Sequence, residues 1–282
     1  MSNLSDPKRR SSVRRVTTWR AGAQGERDDH LAGEEPMQIL AAGPSEPPIE
    51  IAVTMRTPGN DTELAVGLLV SEGLINQNSV ERVEFDDPIE ASHPENRIVV
   101  HLRRPLDPSG IPQRTTIASA SCGICGKASI DDVVLRCSVA VPIERIRLAA
   151  LLALPDALRA EQEIFGRTGA LHAAAIVAVD GEGGLTIETV REDVGRHNAV
   201  DKLIGAAALR GALPYSGRLL LLSGRCSFEL VQKAGAAGIG AIASVGAPSD
   251  LAVETAERLG ICLIGFLRGD AANVYTRSGV VV

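Results

Sequence analysis

The second half of the chain alternates short apolar runs with helical stretches, and this order limits the folds open to it. Strand-like runs cover residues 173–179, 185–190, 218–222, 239–245 and 261–266. Helical stretches lie between the later runs, at about 197–209, 227–237 and 249–259. A β-β-α-β-α-β-α-β order predicts a helix-flanked α/β sheet, with a hairpin turn at residues 180–184 joining its first two strands.

Two further patterns lie upstream of this sheet. The stretch from Ile143 to Phe165 reads as two helices separated by a break at Pro155. Farther upstream, residues 49–55 have alternate apolar positions that predict a half-buried strand, with Ile49, Ile51, Val53 and Met55 on one face. A short helix from Asn60 or Asp61 to Gly73 follows, and then strands at 80–85 and 98–102. We therefore expect a small α+β domain before the main sheet.

Composition supports close packing of helices on a sheet. Apolar residues make up 45% of the 282 residues and aromatic residues only 2%, so Ala, Val, Leu and Ile must build the core. A chain of this length suggests two domains. We divide it into a basic, disordered tail (1–33), a small α+β domain (34–118), a mobile linker (119–141) and an α/β domain (142–282). Residues 1–20 hold six Lys and Arg against Asp6 alone, which is typical of a solvated tail.

Charge and cysteine usage exclude several classes of protein. The net charge of −6 argues against a dedicated nucleic-acid binder. No apolar run approaches the roughly 18–20 residues that a membrane-spanning helix needs. The five cysteines are an odd number, and the basic start is not followed by the apolar segment of a secretory signal. We expect a cytoplasmic protein without a disulfide framework.

The linker carries a C-x-x-C motif, Cys122-Gly123-Ile124-Cys125-Gly126. Such a pair is half of a zinc site, a dithiol redox pair or a reactive thiol that carries a group. The zinc reading is weak because no second C-x-x-C exists and because His172-Ala173-Ala174 lacks the glutamate of the deaminase H-x-E motif. A thioredoxin-like pair would lie between a strand and a helix. A glycine-rich link instead favours the thiol carrier, and we expect no zinc.

Polar loops follow several predicted strands, where open α/β sheets bind their ligands. These loops are residues 191–198, 223–227, 246–250 and 268–270. Arginines and free backbone N–H groups at helix starts suit phosphate groups, and ordinary helix capping by Asp193 and Ser227 is the alternative. Two of the five histidines, His172 and His197, also lie near these loops.

Several motifs together resemble one known family. They are Glu34-Glu35-Pro36, Arg56-Thr57-Pro58-Gly59-Asn60-Asp61, the C-x-x-C, Thr168-Gly169-Ala170-Leu171-His172-Ala173-Ala174, Glu192-Asp193-Val194-Gly195-Arg196-His197-Asn198-Ala199-Val200-Asp201-Lys202, Ser223-Gly224-Arg225 and Val231-Gln232-Lys233. Their order is that of the FdhD family, the formate dehydrogenase accessory sulfurtransferases. The resemblance runs from about residue 34 to Thr276.

The resemblance implies a fold and a function. The fold is a C-terminal three-layer α/β/α domain resembling cytidine deaminase. The function is sulfur delivery: a cysteine desulfurase loads a persulfide onto Cys122, with Cys125 as its partner. The sulfur then passes to the molybdenum of bis(molybdopterin guanine dinucleotide), a bound client, before this cofactor enters the catalytic subunit of formate dehydrogenase. A non-catalytic chaperone for the same cofactor is the alternative.

The resemblance also indicates where the cofactor binds. The family's cofactor-binding segment matches Phe266, Leu267, Arg268, Gly269, Asp270 and Ala271, although a basic residue often present late in that segment is absent here. The polar loops add His172, Asp193, Gly195, Arg196, His197, Ser223 and Arg225 to the expected cofactor-binding set. Because the guanine dinucleotide arms carry several phosphates, we expect a homodimer in which two such surfaces share one ligand.

Overall fold

Three β-sheets organise the described chain, which in this computed structural model comprises residues 10–86, 94–107 and 142–282. The first is a hairpin of β1 (Ser11–Arg20) and β2 (Ala23–Ala32). The second has the order β4-β3-β6-β5 and consists of β3 (Glu35–Ala42), β4 (Ile49–Arg56), β5 (Val80–Phe85) and β6 (Arg97–Leu102). The central pair β3 and β6 is parallel, and the outer strands are antiparallel to them.

The third sheet has six strands in the order β12-β11-β10-β9-β7-β8. They are β7 (His172–Val179), β8 (Leu185–Asp193), β9 (Arg218–Leu222), β10 (Ala241–Ser244), β11 (Cys262–Arg268) and β12 (Ala271–Val274). Strands β9, β10 and β11 are parallel, and β7 is antiparallel to both β8 and β9. The carboxyl ends of β8 to β11 therefore share one edge of the sheet with the amino end of β7.

Helices cover both faces of this sheet. The described helices are α1 (Asp61–Ser71), α2 (Leu148–Glu161), α3 (Glu163–Thr168), α4 (Arg196–Leu209), α5 (Phe228–Ala236) and α6 (Asp250–Leu259), of which α2 covers one face and α4, α5 and α6 the other. Successive strand residues point to opposite faces, so Leu220 belongs to the apolar cluster with α4, α5 and α6, whereas Leu221 belongs to the one with α2. The predicted α/β class and three-layer arrangement are confirmed. Among the described residues, no helix combines the length and apolar character that a membrane crossing requires.

The predicted break at Pro155 is wrong. Helix α2 runs through Pro155 and ends at Glu161. A proline in a helix interior removes one backbone hydrogen bond, but Leu151, Leu154 and Leu158 are buried on one face on both sides of it. Their packing against the sheet holds both halves of the helix in line. Strand β12 was not expected from the pattern, and it forms because the chain turns back on β11 at Gly269 and Asp270.

The predicted disordered tail is wrong for residues 11–32, which form the β1–β2 hairpin. The basic residues of the first strand face acidic residues on the second. Arg15 contacts Glu26 at 3.3 Å and Asp28 at 3.2 Å, and the turn uses the left-handed Gly22 with φ +83°. Opposite charges across a strand pair stabilise it. A charge count that stops at residue 20 misses this partner strand.

The buried face of β4 also differs from the predicted one. Ile49 is exposed and Met55 is half-buried, whereas Thr54 and Arg56 are buried. The reason is a tertiary contact: the Asn198 side chain of α4 donates a hydrogen bond to the Met55 carbonyl oxygen at 2.8 Å, so this end of β4 lies under the second half of the chain.

Helices α1 and α4 join the two larger sheets through glycine. A Cβ atom on Gly67 would lie 1.8 Å from the carbonyl oxygen of Asp201, and one on Gly205 would lie 1.8 Å from that of Glu63. The two helix backbones are therefore almost in contact. Around them, one apolar cluster contains residues of both sheets, such as Ile98 and Leu220. The predicted linker 119–141 lies outside the described residues, and its boundaries stay a prediction.

Candidate functional site

The carboxyl edge of the six-stranded sheet brings the predicted polar loops together. His172 at the start of β7 is paired with Asp193 at the end of β8. The Ala173 backbone N–H donates to Ser223 Oγ at 2.8 Å, which joins β7 to the loop after β9. The loops after β9, β10 and β11 are joined by backbone bonds from Gly246 N to the Gly224 oxygen (3.0 Å) and from Phe266 N to the Gly246 oxygen (3.1 Å). One continuous site results, which we call the sheet-edge site.

Glycines let these loops approach one another closely. A Cβ atom on Gly224 would lie 3.2 Å from His172 Nδ1, one on Gly246 would lie 3.0 Å from Arg225 Cα, and one on Gly265 would lie 2.7 Å from Pro248 Cδ. Side chains at these positions would push the loops apart. Gly246 begins one of the predicted polar loops, whereas Gly265 was not singled out from the sequence. The available signal was a glycine in or just after each of three successive strands.

Two helices start at this site without a side-chain cap. Gly195 precedes α4 and has no side chain, and Ser227 precedes α5 without accepting a bond from its first turn. By contrast, Ser249 caps α6 by accepting a hydrogen bond from Ala252 N at 3.3 Å. The uncapped first turn of α4 leaves backbone N–H donors for a ligand, and the helix dipole favours an anion there. In the first turn of α5, the Glu229 carboxylate itself accepts from its own backbone N–H.

Three arginines bring positive charge to the same edge. Arg225 and Arg268 are exposed, and the Arg268 guanidinium carbon lies 5.7 Å from the centre of the Phe266 ring. Arg196 is half-buried, and its Nε has no hydrogen-bond partner among the described residues. A guanidinium group is a strong donor to phosphate oxygens. The sheet-edge site is therefore positively charged and holds at least one N–H donor that no residue of ranges 10–86, 94–107 and 142–282 accepts.

His172 lies at the amino end of β7, between the carboxyl ends of β8 and β9. Burial is the main cause of a lowered pKa for its imidazole, and the neighbouring charges of Arg196, His197 and Arg225 lower the pKa further. Asp193 opposes them. The ring is thus neutral at neutral pH, and a neutral imidazole both donates and accepts a hydrogen bond.

His197 joins the starts of α4 and α5. Its Nε2 lies 3.2 Å from Ser227 Oγ and 3.8 Å from Glu229 Oε2, and its Nδ1 has no hydrogen-bond partner in the part of the chain that the structure describes. The hydrogen bond from His197 lowers the pKa of Glu229 to about 2. Ser227 and Glu229 were not expected as partners from sequence, because only the fold places α5 beside α4.

Asp193 and Leu267, two members of the expected cofactor-binding set, have buried side chains. Asp193 is fully buried, accepts bonds from Gly195 N (2.8 Å) and Thr57 N (3.1 Å), and forms an ion pair with Lys202 Nζ at 2.7 Å. Leu267 is fully buried in the apolar cluster beneath α2. Asp193 thus holds the start of α4 against the Thr57 loop and Leu267 packs in the core, and the contact of either residue with a cofactor stays a prediction.

The rest of the expected segment extends past the sheet edge. Phe266 is half-buried with a left-handed φ of +52°, and Arg268, Gly269, Asp270 and Ala271 are exposed at the turn between β11 and β12. Cys122 and Cys125 lie outside the described residues. Among the described cysteines, burial raises the pKa of Cys226 to about 12 and that of Cys262 to about 11, so neither supplies a thiolate at neutral pH.

Comparison with known proteins identifies the relatives of this chain. Residues 32–282 match the FdhD/NarQ family. A protein of Streptomyces coelicolor named sulfur carrier protein FdhD is 45% identical over 269 residues, which cover 93% of this chain and 92% of that protein. A protein of the same name from Sulfurisphaera tokodaii is 39% identical, with coverage of 96% and 99%.

A crystal structure supports the fold. It is that of a putative formate dehydrogenase accessory protein from Desulfotalea psychrophila, which superposes with a TM-score of 0.71 over 96% of this chain and 99% of that chain at 22% sequence identity. At this identity the likeness concerns the fold alone. The relationship expected from the motifs is confirmed by the sequence matches over nearly the whole chain, and the protein is a member of the FdhD/NarQ family.

Proposed function

We propose that this protein is a cytoplasmic sulfur carrier that takes persulfide sulfur from a cysteine desulfurase and transfers it to a molybdenum cofactor destined for formate dehydrogenase. The general role is supported by the relatives named sulfur carrier protein FdhD and by the fold neighbour described as a formate dehydrogenase accessory protein. The cofactor is the molybdenum complex of bis(molybdopterin guanine dinucleotide), which is the client and not a resident group.

Cys122 and Cys125 would carry the sulfur. A Cys122 thiolate attacks the outer sulfur of the donor persulfide, the S–S bond to the donor breaks, and the donor leaves as a thiolate. This step has no net redox change. When the Cys125 thiolate then attacks Cys122 Sγ, a disulfide forms and the outer sulfur leaves as sulfide, reduced by the two electrons that the two thiols supply. The sulfurtransferase activity therefore needs both cysteines, and an external dithiol must reduce the Cys122–Cys125 disulfide before the next transfer.

The observation that carries the cofactor assignment is the convergence at the sheet-edge site. Arg196, Arg225 and Arg268 meet the uncapped starts of α4 and α5 there. These groups suit the phosphates of a dinucleotide arm. Gly224 and Gly246 let these loops lie close together, because a Cβ atom at either position would meet His172 or Arg225.

Mass spectrometry of the intact protein tests the sulfur step. After incubation with a cysteine desulfurase and cysteine, we expect an adduct of one sulfur atom that a thiol reductant removes. Cys122→Ala should abolish the adduct, and Cys226→Ala, which removes a buried thiol, should leave it unchanged. An adduct that persists when Cys122 and Cys125 are both replaced by alanine would exclude this assignment.

A non-catalytic chaperone is the second candidate. One observation favours it: the described part of the molecule has the features of an anion-binding site, whereas its two described thiols are buried. In this case another protein would supply the sulfur. Activation of formate dehydrogenase by the variant with both linker cysteines replaced distinguishes the two, because full activation would support the chaperone and loss of activation would support the carrier. Elemental analysis of the purified protein for zinc tests the deaminase-type alternative.

A further inference from the structure

His197 uses one ring nitrogen for hydrogen bonds within the described chain and leaves the other unpaired. The residue is only 5% exposed and lies in the first turn of α4. Its Nε2 lies 3.2 Å from Ser227 Oγ, whereas its buried Nδ1 forms no hydrogen bond with any described residue. An unpaired buried polar atom costs stability, so its retention needs a reason. A ligand group that pairs with Nδ1 would supply that reason.

The neighbours of Nε2 determine which nitrogen carries the proton in the neutral ring. Hydrogen bonds from His197 and from the Ser227 hydroxyl lower the pKa of Glu229 to about 2. An ionised carboxylate only accepts hydrogen bonds, so the single hydroxyl proton of Ser227 is donated to Glu229. Ser227 Oγ can then only accept from Nε2, and Glu229 Oε2, 3.8 Å from Nε2, is likewise an acceptor. Nε2 therefore carries the proton, and Nδ1 of the neutral ring is an acceptor.

The position of His197 indicates which ligand group could donate to Nδ1. Its ring lies close enough to His172, at the sheet edge, to lower the pKa of that imidazole. In the same turn, Arg196 and the backbone after Gly195 offer donors that suit a phosphate. An ionised phosphate has no donor of its own and cannot pair with an acceptor. In a nucleotide, the group bonded directly to the phosphate is the ribose, and its hydroxyls are donors.

We propose that His197 Nδ1 accepts a hydrogen bond from a ribose hydroxyl of the guanine nucleotide, and that Ser227 and Glu229 are positioning residues that keep the ring in its accepting tautomer. This inference rests on the proposed function, because it takes a phosphate of the dinucleotide arm to lie at the start of α4. Nδ1 is covered in the free protein, so binding must also move a neighbouring side chain. The added property is selection of ribonucleotides over deoxyribonucleotides, which phosphate contacts alone cannot provide.

Calorimetric titration at pH 8 with guanosine diphosphate and its 2′-deoxy and 3′-deoxy analogues tests this selection. We expect the dissociation constant to be about tenfold higher for at least one analogue, as for the loss of one hydrogen bond. His197→Phe keeps a ring but removes the acceptor, so it should weaken only the binding of the ribonucleotide and abolish the difference. Arg225→Gln should weaken the binding of all three nucleotides alike, because it acts on the phosphates.

Glu229→Gln tests the positioning role without removing a core residue, because Glu229 is half-buried. The new amide can donate to Nε2, so part of the ring proton should move to Nδ1. Nitrogen-15 NMR of the His197 ring measures this shift, which a purely structural role would not produce. The preference for the ribonucleotide should fall by about threefold, while the affinity for pyrophosphate should not decrease. Glu254→Gln, at an exposed position on α6, is the matched control and should change neither quantity.

The outcomes separate this inference from the proposed function. Equal affinity for guanosine diphosphate and both deoxy analogues would overturn the inference and leave the phosphate contacts standing. A proton on Nδ1 of the wild-type ring at pH 8 would overturn it as well. If neither guanosine diphosphate nor pyrophosphate binds, the cofactor-binding part of the proposed function fails, and the role of His197 fails with it.

Discussion

Two regions of the molecule are rich in glycine and in charged residues. One is the interface between helices α1, α4 and α5, and the other is the sheet-edge site, and their roles differ. At the interface, Lys233 is buried and contacts Asp201 at 2.9 Å and Glu72 at 3.0 Å. At the edge, Arg196 Nε and His197 Nδ1 have no partner in the described chain. A charged side chain whose hydrogen bonds are all made within the protein stabilises the fold. One that keeps an unused hydrogen-bonding atom is available for a ligand.

Helix α4 belongs to both regions. Its first turn carries Arg196 and His197 into the sheet-edge site, and one turn later Asp201 and Lys202 point into the interior. Lys202 Nζ contacts Asp193 Oδ2 at 2.7 Å and the Thr57 carbonyl oxygen at 3.0 Å. Asp201 and Lys202 thereby hold Arg196 and His197 in place. Mutations can test the roles of these two pairs separately.

Lys233→Met should have the largest effect on stability. Burial opposes the charge of Lys233, but Asp201 and Glu72 outweigh it and raise its pKa, so the group is charged throughout the neutral range. Removal of the ammonium leaves two buried carboxylates without their cation. We expect a loss of about 3–5 kcal/mol in the free energy of unfolding, measured by urea denaturation.

The double variant Lys233→Met with Asp201→Leu is the control for this change. It removes the strongest uncompensated charge together with the lysine, and it should recover most of the loss. A single variant that loses less than about 1 kcal/mol would show that this ion pair does not hold the interface.

Gly205→Ala should have the second largest effect on stability. The added Cβ would meet the Glu63 carbonyl oxygen, so α1 and α4 must separate. We expect about 2–3 kcal/mol of destabilisation by overpacking in the same denaturation assay. Gly166→Ala on α3 is the matched control, since no atom lies within 4 Å of its added Cβ, and it should be neutral or slightly stabilising. Equal effects of both would contradict the close approach of the helices.

Arg225→Gln tests the sheet-edge site instead of the helix interface. The side chain is exposed, so stability should be unchanged, but the affinity for guanosine diphosphate in calorimetric titration should fall about tenfold with the loss of a charge-assisted bond to phosphate. Arg210→Gln, an exposed arginine at the opposite end of α4, should leave the affinity unchanged. If both variants bind the nucleotide like the wild type, Arg225 is not a ligand contact.

Protonation of His172 should have the smallest effect. It should make the free energy of unfolding depend on pH. Its folded-state pKa lies below the ordinary value of 6.5, so the unfolded chain binds the proton more readily. Stability should therefore be complete above pH 6.5 and fall as the pH drops below it. In urea denaturation, His172→Gln should make the decline between about pH 6.5 and 5 shallower than in the wild type. A decline of the same slope in this variant would assign it to other groups.

Local patterns predicted most of the secondary structure. The main-sheet strands and helices followed from apolar periodicity, and the rule that ligands bind beyond the carboxyl ends of the strands located the site. The secondary-structure predictions failed for elements whose conformation depends on residues that are distant in the sequence. Helix α2 continues through Pro155 because its leucines pack on the sheet, and the basic tail is a strand because residues 26–29 supply its acidic partners.

Single site residues were harder to predict than the site itself. His172, Arg196 and Arg225 lie at the edge as expected, whereas Asp193 and Leu267 are buried. Sequence spacing indicates which loop a residue occupies but not whether a neighbouring element covers it. Asp193 is covered by the Thr57 loop, which is 136 residues away in the chain.

The sequence by itself determined the fold class, the family and the polar loops that meet at the sheet-edge site, because these depend on periodicity and on motifs that are local in the chain. The tertiary structure decided which charges of the Glu192–Lys202 motif are satisfied, because Lys202 and Asp201 find their partners on α1, α5 and the Thr57 loop. It also decided that Gly67 and Gly205 bring two helix backbones together. Such contacts arise only when distant segments meet, and burial makes each of them strong.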